Sequence, residues 1–187
     1  MGDPARKKAT YEDILALPEG ITGEILGGVL HTRPRPRVKH ANAGSALGAL
    51  IMGPFKFGRG GPGGWVILDE PELHAPAGDI AVPDLAGWRR ERMPELPDVL
   101  YIELCPDWVC EILSPSTAVL DRREKMPFYL QWGVRHLWLV DPALHTLEIY
   151  RAEHERWMLL GTWSENDVLR AEPFDAIELE LGLLWQR

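Results

Sequence analysis

Two stretches of this chain place a carboxylate where an apolar strand should continue, and they restrict the fold more than any other feature. One is Ile80-Ala81-Val82-Pro83-Asp84-Leu85-Ala86-Gly87-Trp88; the other is Trp108-Val109-Cys110-Glu111-Ile112-Leu113. Both read as extended segments rich in residues that strands favour. A carboxylate inside such a segment is costly to bury unless it is paired, hydrogen-bonded or bound to a cation. Laid side by side, the two strands would bring Asp84 and Glu111 to one place. A hard cation such as Mg²⁺ is held in that way, by one or two carboxylates together with water and substrate phosphate. Taken singly, Asp84 reads equally well as an acid capping a turn, and Glu111 as a solvent-facing residue beside Ser114-Pro115-Ser116. A third acid, Glu24, stands in Gly23-Glu24-Ile25 ahead of a turn, an arrangement that is often exposed.

The remaining pattern alternates helix and strand. Thr10 caps a short acidic helix that Pro18 ends, and residues 1–9 before it form a loose arm. Gly27-Gly28 turns a hairpin over residues 23–31. Arg33-Pro34-Arg35-Pro36-Arg37 cannot be helical, whereas residues 40–52 read as a helix despite two glycines. A loop with five glycines and a proline occupies residues 58–64. Strands follow at 65–68, 80–88 and 108–113, then a helix over 120–132 interrupted by Pro127 and capped by Gly133. A strand at 136–140, a hairpin of 146–151 with 157–162, and an alternating segment at 177–181 complete the chain. The expected fold is α/β: a single domain over residues 10–187 with a mixed β-sheet, in one layer arrangement, flanked by helices.

The chain has 187 residues, of which 45% are apolar and 26% charged, enough to bury a core and too ordered a composition for a disordered protein. Its two cysteines, Cys105 and Cys110, have no second pair and no histidine cluster at ligand spacing. They provide neither a zinc site nor a disulfide framework, and a reducing cytoplasm is the expected location. No run approaches the roughly 18 apolar residues of a membrane span.

The segment after Glu111 carries the most information. Ser114-Pro115-Ser116-Thr117 breaks the strand, and Asp121-Arg122-Arg123-Glu124-Lys125 opens a helix with Tyr129 four residues beyond the lysine. Lys125 can snorkel over the sheet edge to a carboxylate pair, where its ammonium would orient a water or offset charge on a phosphate. The plainer reading of such a charge run is a solvated helix face.

These residues, with Gly133-Val134, His136 to Pro142, Tyr11, the Glu24 to Gly28 segment and Pro173-Phe174-Asp175, resemble the bacterial Uma family. That family consists of restriction-endonuclease-like proteins of the PD-(D/E)XK nuclease superfamily. The resemblance covers roughly residues 10 to 185 and implies a restriction-endonuclease-like core. By position it implies that Asp84 and Glu111 are metal ligands and that Glu24 is the N-terminal acid brought to the same metal. It makes Lys125 the catalytic lysine carried on the following helix. The superfamily pattern places that lysine two residues after the second acid, where this chain has Leu113. The implied cofactor is Mg²⁺ or Mn²⁺ and the implied reaction hydrolysis of DNA phosphodiester bonds. Glu72 also matches the family's pattern, with no role attached.

Substrate contacts are expected from His40, which opens a helix, and from Arg35 and Arg37 in the basic strip that also holds Arg33 and Lys39. The net charge of −8 argues against a nucleic-acid partner only when read globally. Residues 1–60 hold nine Lys and Arg against five Asp and Glu, a balance of +4; residues 141–187 hold four against ten, a balance of −6. Weak, strongly salt-dependent DNA binding is the consequence. A different class remains open, in which the fold serves as a non-catalytic binding or dimerising module. A third reading keeps the metal hydrolase and replaces DNA by RNA or a small phosphodiester. The expected edge strand near residues 146–162 suits pairing into a homodimer.

Overall fold

A computed structural model describes residues 8–33 and 35–186 of the chain. Residues 1–7 of the expected arm lie outside the described residues, as does Pro34 in the basic strip. The first half runs α1 (Tyr11–Leu15), β1 (Thr22–Leu26), β2 (Val29–Arg33), α2 (Val38–Ile51), a π turn (Met52–Lys56), β3 (Trp65–Asp69), β4 (Leu73–His74) and β5 (Ile80–Ala81). Next come β6 (Leu85–Arg89), β7 (Trp108–Ile112), α3 (Ala118–Leu120), a second π turn (Asp121–Lys125) and α4 (Met126–Trp132). The chain closes with β8 (His136–Asp141), β9 (Thr146–Glu153), β10 (Arg156–Ser164), β11 (Val168–Leu169), β12 (Leu179–Glu180) and α5 (Gly182–Trp185).

The architecture is mixed α/β, as expected, but the strands divide among three sheets instead of one layer. Their orders are β2-β1-β5-β4, β10-β9-β8-β7-β6-β3 and β11-β12. Residues 80–88 are therefore not a single strand. Pro83 has no N–H for a ladder, and the chain leaves the four-stranded sheet after β5 and enters the six-stranded sheet at β6. The step between the sheets is Val82-Pro83-Asp84. At the C-terminus only Leu179–Glu180 of the alternating segment is strand, and α2 begins at Val38, two residues before the expected start.

In the six-stranded sheet every pairing is antiparallel except β7 with β8. A parallel pair needs a crossover, and the helical segment 118–132 supplies it. The sheet is thus covered on both faces. Trp108, Cys110 and Ile112 of β7 pack with Ala43, Leu47 and Ile51 of α2. Val109 packs with Phe128 and Tyr129 of α4 on the other side. Strand alternation places Glu111 on the same side as Val109, toward the helical segment.

Two local devices set the site. Gly44 lets α2 approach β7: a Cβ there would meet Ile112 Cδ1 at 3.0 Å. Pro127 cannot donate to the carbonyl four residues back and its ring would crowd it. The helix widens into a π turn just before it, with the Met126 N–H reaching Asp121 O. Turns of this kind recur at functional sites, and this one carries Asp121 and Lys125 inward, both buried. Gly133 ends α4 in the left-handed region at φ 104°, as its capping role requires.

Candidate active site

Asp84, Glu111, Glu24 and Lys125 come from four separate segments of the chain and meet in one buried cluster. Asp84 precedes β6, whose Leu85 pairs with Cys110, so Asp84 and Glu111 stand at neighbouring positions of adjacent strands. The Ile112 N–H donates to Asp84 Oδ2 at 2.6 Å. Glu24 arrives from β1, and its Oε1 accepts from the Val82 N–H at 2.8 Å, which ties it to the step between the two sheets. Lys125 Nζ lies 2.9 Å from Glu24 Oε1, 2.7 Å from Glu111 Oε1 and 3.9 Å from Asp121 Oδ1. The lysine is 1% exposed, so the solvated-face reading of this charge run does not apply to it.

His40 is also buried, with Nε2 3.3 Å from Asp84 Oδ1. Arg35 and Arg37 behave differently: both are exposed and line a cleft of about 280 Å³ together with Arg33, His40, Ser114 and Thr117. The arginine that enters the cluster is Arg33. Its Nη1 lies 3.5 Å from Asp84 Oδ1, and its Nη2 donates to the Val82 carbonyl. Two further members, Asp121 and Tyr129, are not among the site residues expected from the sequence. Asp121 sits one helical turn before Lys125, and Tyr129, one turn after it, donates its hydroxyl to Glu111 Oε1 at 2.5 Å. The spacing of 121, 125 and 129 puts all three on one helix face, which was the available signal. Glu72 lies elsewhere, 2.7 Å from His74 Nε2.

The electrostatics follow from crowding. Four buried carboxylates, Glu24, Asp84, Glu111 and Asp121, share two permanent cations, Arg33 and Lys125. Burial alone would raise Glu24, but Lys125, Arg33 and the Val82 N–H outweigh it and hold this carboxyl below its ordinary value. Burial is likewise overcome at Asp84, by His40, Arg33 and the Ile112 N–H. Glu111 goes the other way. Burial, reinforced by the charges of Asp121, Asp84 and Glu24, lifts it to about 8 in spite of Lys125. Burial also lifts Asp121. Lys125 would lose its proton more readily through burial, yet Glu111 and Glu24 reverse this and hold it charged.

The donor set fits a hard divalent cation: all four acids offer oxygen, and negative charge is in excess. Asp121 Oδ2 is buried with no hydrogen-bond partner among the described residues. Among the described residues, no three His, Cys, Asp or Glu side chains are arranged to enclose a metal by themselves. Mg²⁺ does not require such a cage, since one or two carboxylates with water and phosphate suffice.

The comparisons with known proteins agree with this fold. Five chains of solved structures match. One is described as "Crystal structure of a putative nuclease belonging to DUF820 from Anabaena variabilis"; at 24% identity and a TM-score of 0.75 it covers 95% of this chain and 97% of that one. It shows a shared fold. Among curated proteins there is no match. Residues 10–183 match the model of Uma2, described as "Putative restriction endonuclease". With nearly its whole length matched, the chain belongs to the Uma2 family.

Proposed function

We propose that the protein is a metal-dependent endonuclease that hydrolyses DNA phosphodiester bonds at the cluster of Asp84, Glu111 and Lys125. The observation that carries this reading is the set of four buried carboxylates beside a cleft lined by arginines. Asp84 and Glu111 would hold Mg²⁺ or Mn²⁺ together with water and phosphate, with Glu24 adding charge beside them, and such an ion polarises a phosphate and acidifies a bound water. His40 holds the Asp84 carboxylate in place. Arg35 and Arg37, exposed on the cleft, bind backbone phosphates, and Arg33 connects the cleft to Asp84. The Lys125 ammonium, fixed by Glu24 and Glu111, provides preorganised positive charge where negative charge develops. Localisation in the cytoplasm is part of the same proposal; among the described residues no helix is long and apolar enough to cross a membrane.

Supercoiled plasmid incubated with wild-type protein should be nicked with Mg²⁺ or Mn²⁺ and left intact with chelator. Cleavage should weaken steeply with salt, because the basic face is local. Asp84→Ala should reduce cleavage by about 100-fold or more, the scale of losing one preorganised group. Equal cleavage by wild type and variant would expose a contaminant.

One observation favours a second reading, a non-catalytic binding or dimerising module: Lys125 and Arg33 already engage Glu24, Glu111 and Asp84. Calorimetry separates the two, since a module would take up no divalent ion at millimolar levels and show no metal-dependent rise in Tm. For dimerisation the candidate surface is β10, at the edge of the six-stranded sheet, with Met158 and Leu159 45% and 49% exposed.

A further inference from the structure

The first turn of α2 separates two clefts. Arg37 and His40 line the arginine cleft on one side. On the other, Val38, Lys39 and Asn42 join Pro142, His145 and Trp185 around a second cleft of about 360 Å³. Four tryptophans of the chain, Trp65, Trp88, Trp108 and Trp138, are at most 1% exposed and belong to the core. Trp185 is only half-buried. Its ring lies nearly parallel to that of His145, with an interplanar angle of 11° and centroids 5.2 Å apart.

Both rings are anchored by their edges. Trp185 Nε1 donates to the Glu165 carbonyl at 2.8 Å, and His145 Nδ1 lies 3.2 Å from Glu165 Oε2. Asn42 Nδ2 donates to the Leu184 carbonyl at 3.1 Å. The result is a held aromatic wall facing a helix turn that offers one cation, Lys39, and one apolar side chain, Val38, left 85% exposed. Flat aromatic surface with a nearby cation is what a nucleobase stacks on when its phosphates are held by arginines. The two clefts meet at the first turn of α2, where Arg37 of the first is followed directly by Val38 and Lys39 of the second.

We infer that the second cleft is a subsite for an unpaired nucleobase of the DNA strand whose phosphates lie along Arg35 and Arg37. This rests on the phosphodiesterase reading and sharpens it: the favoured substrate has a single-stranded or splayed segment next to the cut. A base paired in a duplex has both faces stacked and cannot enter. Labelled single-stranded and duplex oligonucleotides of equal length, titrated by fluorescence anisotropy in chelator, test this. Wild type should bind the single strand about tenfold or more tighter than the duplex. Trp185→Ala should remove that preference and leave duplex binding unchanged. Since Trp185 also packs against the core, Val38→Glu provides a second variant at an exposed position and should remove the preference too. Equal wild-type affinity for both oligonucleotides, or an unaltered preference in both variants, overturns the subsite while leaving duplex cleavage possible. Absence of binding to either oligonucleotide overturns the subsite, while plasmid cleavage with Mg²⁺ or Mn²⁺ decides the nuclease reading separately.

Discussion

Lys125→Met is expected to cost about 3–5 kcal/mol of stability near pH 7.5, the usual effect of removing one partner from a buried charge cluster. The lysine is 1% exposed and lies within 4 Å of three carboxylates. Methionine fills a similar volume but removes the cation those acids share. Burial, opposed at Glu24 by Arg33 and the Val82 N–H, then makes them take up protons in the folded state. A carboxyl whose folded pKa exceeds its unfolded one makes stability fall as pH rises. The deficit of the variant should therefore be large at pH 7.5 and shrink toward pH 4.5, where the unfolded chain's carboxyls also begin to take up protons. Wild type moves oppositely at Glu24, whose lowered pKa contributes stability above its ordinary value of 4.5 that is lost in acid. Urea denaturation in chelator at the two pH values checks this; a loss of the same size at both would mean that packing, not charge, is responsible. Where circular dichroism shows the variant folded, its plasmid cleavage should be about 100- to 1,000-fold below wild type.

The same cluster shows what a sequence can and cannot convey. Asp84 and Glu111 were legible because a charge in an apolar strand is costly whatever the tertiary arrangement, and Lys125 because of its spacing behind them. Arg33 was not distinguishable from Arg35 and Arg37, since the repeating Arg-Pro pattern contains nothing that says which guanidinium turns inward. That is decided by β2, which ends at Arg33, opposite Thr22 of β1. The run over residues 80–88 looked like one strand because hydrophobicity alone does not reveal a change of sheet. Pro83 was the clue, and the change itself is what brings Glu24 and Asp84 together through Val82. In the helical segment the sequence marks Pro127 only as an interruption. Its real effect is to widen the turn that carries Lys125, which depends on backbone geometry that local propensity does not express.

Glu111→Gln should make the metal-free protein more stable at alkaline pH while greatly reducing cleavage. In the folded protein Glu111 ionises near pH 8, against an ordinary value of 4.5, first because it is buried and next because Asp121, Asp84 and Glu24 are close. Both of its neighbours address one oxygen: Lys125 Nζ at 2.7 Å and the Tyr129 hydroxyl at 2.5 Å meet Oε1. That geometry suits a neutral carboxyl with Oε1 as its carbonyl and the proton on Oε2, a shape glutamine reproduces. Between pH 4.5 and 8 the folded protein binds the proton that the unfolded chain has released, so this residue lowers stability as pH rises through that window. Glutamine removes the penalty. With each pKa unit equivalent to about 1.4 kcal/mol, the variant should match wild type near pH 4.5 and exceed it by several kcal/mol at pH 8.5. Urea melts in chelator across this range measure the difference. A variant less stable than wild type at pH 8.5 would show that the Lys125–Glu111 ion pair outweighs the burial of the carboxylate. Cleavage should fall by about 100-fold or more in the same protein, because an amide can neither neutralise nor hold a divalent ion as a carboxylate does. A stability gain joined to a loss of function is the pattern of a residue kept for its chemistry against the preference of the fold.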